Sequence, residues 1–120
     1  MEPFRTELLD AVRARRQADG EAQRLATLER IIQWLTTEGS RYGINEAFIF
    51  GSVIRPYHFT DRSDVDVAVE QMGVEAFFEA MGKLSEAVER DVDLVELLRC
   101  PFAHRIREQG VVWRRETLPS

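Results

Sequence analysis

The sequence predicts an α+β (mixed α/β) domain in which a small sheet is packed by helices and preceded by an N-terminal helical segment. Three observations carry that expectation. Apolar residues between positions 3 and 38 recur every three or four places, the spacing of one helix face. Two short apolar runs, Glu46–Phe50 and Asp64–Val69, are bounded by turn residues, and the second alternates with a period of two. Helical spacing then returns from Val74 to about Glu89, before a third strand-like run, Asp91–Leu97.

In chain order, Phe4, Leu8 and Val12 begin a single apolar stripe that Leu25, Leu28, Ile32 and Leu35 continue, with Ile31 alongside. Gly20, in Ala-Asp-Gly-Glu, is expected to break this segment into two helices. Gly39, Gly43 and Asn45 close it, and Trp34 reads as a packing residue. In the second strand Val65, Val67 and Val69 share one face and the aspartates the other. Pro56 and the polar residues to Ser63 form the loop before it. The helix from Val74 aligns Phe77, Met81, Leu84 and Val88, and both Phe77 and Phe78 read as core. Asp91 and Asp93 share a face of the third strand. Pro101 suits the first turn of a short helix and Gly110 its end. Val111–Trp113 reads as a last strand, and Arg114 to Ser120 as a frayed tail. The 120 residues are expected to make one domain, 1–120, with its core at 44–115.

Composition narrows the function. Sixteen basic and twenty-one acidic residues give a net charge of −5, which argues against extended nucleic-acid binding and favours a soluble, cytoplasmic molecule. Arg5, Arg13, Arg15, Arg16, Arg24 and Arg30 crowd the first thirty positions, and a solvated helix face explains them better than an anion site. Cys100 is the lone cysteine, so neither a disulfide framework nor a thiolate metal cluster can form. No apolar run has the length of a membrane span or the pattern of a signal peptide.

The chemistry concentrates where Phe48-Ile49-Phe50 ends in Gly51-Ser52 and the next strand opens with Asp64-Val65-Asp66. Two carboxylates one residue apart on a strand project from one face and repel unless a cation lies between them; hard oxygen donors suit Mg²⁺. A glycine admits a ligand close to the backbone, and the serine amide and hydroxyl can donate to phosphate oxygens. Alone, Asp-x-Asp is weak and describes many surface pairs. Preceded by strand-Gly-Ser and followed by another strand aspartate, it points to a metal–nucleotide site. The calcium-loop order is absent. Arg99 and His104 have a ribonuclease-like spacing that belongs to all-helical domains, so chance explains it better. His58 reads as an exposed loop histidine.

Phe-Gly-Ser, Arg55, Ser-Asp-Val-Asp-Val-Ala-Val and Val-Asp-Leu-Val together resemble the minimal nucleotidyltransferases of the DNA polymerase beta superfamily, over roughly residues 46 to 115. The resemblance implies their fold, with a small mixed sheet, and transfer of AMP from Mg²⁺-bound ATP to a hydroxyl. It also implies that Gly51, Ser52 and Arg55 hold the triphosphate, and that Asp64, Asp66 and Asp93 are catalytic metal ligands, with Asp93 preferred over Asp91. Pro56 stands where the family commonly has glycine. Small stand-alone members are similar to antitoxins paired with HEPN toxins, which they adenylylate on a tyrosine and bind. The expected partner is therefore a HEPN-domain toxin. The alternatives are a non-catalytic binding antitoxin and transfer to a small molecule or an RNA end. A homo- or hetero-oligomer is open.

Overall fold

The computed structural model describes residues 3–116, with side chains from Thr6 onward. Helix α1 (Pro3–Glu38) leads into strand β1 (Glu46–Phe50), a single-turn segment at Gly51–Ile54 and strand β2 (Val65–Val69). Helix α2 (Val74–Val88), strand β3 (Val92–Glu96), helix α3 (Ala103–Gln109) and strand β4 (Val111–Arg114) follow. The four strands form one mixed sheet in the order β3-β2-β1-β4. β1 is antiparallel to both neighbours, whereas β2 and β3 are parallel because α2 carries the chain back across the sheet.

Strand alternation sorts the side chains onto two faces. Ala47, Ile49, Val65, Val67, Val69, Leu94 and Trp113 pack toward Ile31, Leu35, Leu84 and Val88 of α1 and α2. Phe48, Phe50, Ala68 and Val95 pack on the other side, with Leu97 and Ile106. That second face has only the seven residues of α3 for a helix, and Phe50 and Val95 on it are only partly buried.

The expected strands and helix α2 all form, as does the α+β architecture. Several local expectations are corrected. α1 runs through Gly20 without a break. A glycine inside a helix costs about 1 kcal/mol relative to alanine; here a Cβ would stand 3.2 Å from the Phe59 carbonyl oxygen, so the bare position lets the loop lie against the helix. The expected apolar stripe is only partly buried. Leu35 and Ile31 are in the core and Leu28 packs against it, whereas Leu25 is 55% exposed and Ile32 lies toward solvent; Trp34, Arg24 and Thr27 complete the buried face. The 36 residues of α1 make it about 54 Å long, far longer than the sheet it crosses. Residues 6–19 accordingly extend past the core with Leu8, Leu9 and Val12 in solvent. The side chain of Phe4 lies outside the described residues. Phe78 is exposed rather than core, on the outer side of α2. Pro101 lies in the turn before α3, which starts at Ala103. Arg114 is part of β4, and the Arg115 amide donates to the Asn45 carbonyl, so the ladder continues where a frayed tail was expected; residues 117–120 lie outside the described residues. Trp34 packs as expected, stacked on Tyr42. Cys100 is half-buried. Among the described residues no helix is long and apolar enough to cross a membrane.

The largest correction concerns Arg24, which composition assigned to a solvated face. Its side chain is buried, donates to both carboxylate oxygens of Glu21 at 2.8 and 3.0 Å, and donates to the Val53 carbonyl at 3.2 Å. Burial of the guanidinium is tolerable because those partners satisfy it. Arg24→Ala would leave Glu21 and the Val53 carbonyl without their donor and should cost about 2 kcal/mol in a urea unfolding titration. Arg15→Ala, on the protruding part of α1, should stay within about 0.5 kcal/mol of the parent; equal effects of the two substitutions would contradict the assigned role of Arg24.

Candidate active site

The site grows from the end of β1. At Gly51 the chain turns with φ +79, a left-handed conformation that side chains disfavour. A Cβ at this position would run into Oδ2 of Asp66. The turn therefore requires glycine twice, for its dihedral and for the space the carboxylate occupies. Asp66 stands opposite Phe50 in the β1–β2 ladder and opposite Asp93 in the β2–β3 ladder. Because directly paired residues share a face of the sheet, both carboxylates lie on the α3 side. Asp64 immediately precedes β2.

Electrostatics reports how closely the three acids are gathered. Asp66 is pushed up from the usual aspartate value to about 6, first by burial, then by the negative charges of Asp93 and Asp64. Asp66 thus senses the charges of both other predicted carboxylates at the Gly51 bend. Among the described residues, no three acidic, imidazole or thiol side chains are close enough to make a finished metal cage. A divalent cation bound beside Asp66 would offset the negative charges that raise it. The hard oxygens of the three aspartates and the repulsion that raises Asp66 fit Mg²⁺ as a group bound by these residues.

Asp91 shares a depression with Asp64 but does not face Asp66. Its carbonyl accepts the Val65 amide at 2.9 Å, and its side chain lines a depression of about 500 Å³ with Asp64, Asp61, Glu86 and Glu89. Asp93, not Asp91, is the ladder partner of Asp66.

Between Gly51 and Asp64 the loop is pinned from the core. Arg24 holds the Val53 carbonyl, and Glu21 accepts the Tyr57 amide at 2.9 Å, fixing Tyr57 in a left-handed conformation with φ 67. At the far end Arg90 donates to the carbonyls of Thr60 and Ser63, both at 2.9 Å, and lies 4.2 Å over the Phe59 ring. Pro56 is accommodated within this frame. None of the three anchors, Glu21, Arg24 and Arg90, was visible as a site residue in the sequence, because each acts through backbone atoms far along the chain.

Gly51 and Arg55 line a cleft of about 770 Å³ whose opposite wall is α3, with Phe102, Arg105, Ile106 and Gln109. Ser52 is half-buried in the turn. His58 is exposed, as expected, and also lines the cleft. The α3 residues carry no motif. Their only sequence signal is an i, i+3, i+4, i+7 face on which an arginine and a glutamine interrupt the apolar pattern.

The family model described as "Polymerase beta, Nucleotidyltransferase" matches residues 29–116, a span that includes Gly51, Ser52, Arg55 and all three aspartates. No curated protein and no solved structure matches the chain.

Two outcomes are expected of the metal-free protein. The raised pKa of Asp66 means that the folded chain holds more protons than the unfolded chain between about pH 4 and 6, so its contribution to stability is present below that window and lost as pH rises through it. Asp66→Asn should therefore stabilise the metal-free protein at pH 7 by on the order of 1 kcal/mol, a figure discounted for solvent screening of a half-exposed group. Urea titrations at pH 4 and 7 in EDTA check this; a destabilised variant at pH 7 would contradict it. Gly51→Ala should lower stability by about 1–2 kcal/mol, whereas Gly43→Ala, at a left-handed position with open space around it, should lower it less.

Proposed function

The chain belongs to the polymerase beta nucleotidyltransferase family, and from that membership together with the resemblance of its motifs to small stand-alone members we propose that it transfers AMP from ATP to a tyrosine hydroxyl of a partner HEPN-class toxin, with Mg²⁺, as that toxin's antitoxin. The observation that supports the transfer chemistry is the register that sets Asp66 opposite Asp93 and against the bare Gly51 turn, where burial and the two neighbouring acids raise Asp66 to about 6.

In this reading the acceptor oxygen bonds to the α-phosphorus as the bond to pyrophosphate breaks, and the protein's work is positioning and charge neutralisation. Mg²⁺, when bound, supplies the positive charge that offsets the phosphates and acidifies the acceptor hydroxyl. Gly51 leaves the backbone bare beside the phosphates, and Ser52 and Arg55 supply donors. Asp64 and Asp66 hold the cation. Asp93 lies on the edge strand β3, exposed, where an acceptor side chain on a folded partner can reach it; it takes the hydroxyl proton. The acceptor and the antitoxin role rest on the resemblance to small stand-alone members of the family.

The test is incubation with ATP labelled in its α-phosphate, Mg²⁺ and the product of the adjacent gene. Label should appear on a tyrosine of that protein and be lost with Asp64→Ala plus Asp66→Ala; no transfer with metal present would count against the enzyme. A second reading, neutralisation by binding alone, is favoured by one feature, the protruding stretch of α1 with Leu8, Leu9 and Val12 in solvent. Under that reading the double alanine variant still neutralises the toxin. The catalytic reading also fixes a pH dependence. Protonation of Asp66 competes with the cation, so Mg²⁺-ATP affinity should fall as pH drops below about 6. Calorimetry at pH 5 and 7.5 checks this, and a pH-independent affinity would be inconsistent with Asp66 as a ligand.

A further inference from the structure

We propose that α3 forms the second half of the nucleotide site, with Arg105 binding the polyphosphate from the wall opposite Arg55 and the Phe102 ring serving as a platform for the base. This rests on the nucleotidyl-transfer reading and assigns residues that no motif names.

Three observations lead there. First, the cleft begins at Gly51, the residue whose missing Cβ brings the turn against Asp66, so one end of it adjoins the Asp66 carboxyl. Its volume, about 770 Å³, lies within the range of small-molecule sites. Second, the charge is segregated. In a chain of net charge −5, the residues lining this cleft include Arg55, His58 and Arg105 and no acid. Such a wall selects an anion, and a phosphate chain is the anion that could run from the carboxylates, through a cation, to these donors. Third, the arginines of α3 have divided roles. Arg107 is held by Glu70 through two hydrogen bonds, at 2.6 and 3.1 Å, which braces α3 against the end of β2. Among the described residues, neither Arg105 nor Arg55 is paired with a carboxylate. Their guanidinium groups are free to take a ligand.

Phe102 completes the chemistry. Its side chain is 46% exposed at the start of α3 and lines the same cleft, while the Ile106 beneath is buried against Phe48 and Ala68. An aromatic face left in solvent beside two arginines offers a base a surface to stack on. Gly110 keeps the helix at this distance: a Cβ there would press on the Ile106 and Ile49 carbonyl oxygens.

The experiment measures binding of Mg²⁺-ATP and of inorganic tripolyphosphate to the full chain by calorimetry. Arg105→Ala should weaken both ligands by about tenfold or more, and Arg105→Lys should recover part of the loss. Phe102→Ala should weaken ATP by about fivefold or more and leave tripolyphosphate unchanged. Thermal melts of the free variants should match the parent, since both side chains are exposed. Parent-like ATP binding by Arg105→Ala and Phe102→Ala would overturn the inference and leave the transfer reading standing. Loss of ATP but not tripolyphosphate binding in Arg105→Ala would overturn the assignment of its guanidinium to the phosphates. A parent protein that binds no nucleotide with Mg²⁺ present would remove the transfer reading and this inference together.

Discussion

The structure turns on a repulsion held in place. Asp66 is forced beside Asp93 by the β2–β3 register, near Asp64 by the start of the strand, and against the bare Cα of Gly51 by the bend that ends β1. Without a cation this crowding destabilises the fold. It survives because the opposite face of the same strand is buried: Val65, Val67 and Val69 are almost wholly removed from solvent. Burying three valine side chains contributes several kcal/mol, more than the carboxylate pair takes away. One strand thus carries both the strongest packing and the least comfortable charges, and its period of two keeps them apart.

The second requirement is that the eleven residues between Ser52 and Asp64 hold still, although they contain no regular element long enough to do so alone. Helix α1 and the end of α2 supply the restraint from outside. Arg24 and Glu21 tie down the turn after Gly51, and Arg90 ties down the carbonyls just before Asp64. α1 is therefore part of the site's foundation even though none of its described residues lines the Gly51 cleft. Its first turns, before Arg16, have no such duty and stand clear of the sheet.

Much of this was legible in the sequence, and the reasons are specific. The strands were readable because each is bounded by turn residues and, in β2, alternates cleanly; Asp64 and Asp66 were readable because strand periodicity puts them on one face, whereas Asp93 was separated from Asp91 only by the motif resemblance, and its place opposite Asp66 comes from the β2–β3 register. The course of α1 was not. Gly20 looks like a break until the Phe59 carbonyl is seen packed against it, and the leucine spacing finds Leu28, Ile31 and Leu35 but also points to the exposed Leu25 and misses the buried Arg24 and Thr27. A buried arginine reads as a surface arginine when its partner is a backbone carbonyl 29 residues away. The α3 wall of the cleft was equally hidden, since Phe102 and Arg105 become neighbours of Gly51 only once α3 folds back over β1.

The most direct test of the central claim is the titration of the Asp66 carboxyl carbon by NMR, in the free protein and again with Mg²⁺ and a non-hydrolysable ATP analogue. The free protein should titrate near 6, and the loaded protein should keep Asp66 ionised to well below the ordinary aspartate value. An ordinary titration in the free protein, unchanged by metal and nucleotide, would mean that the acids at the Gly51 bend neither crowd one another nor share a cation.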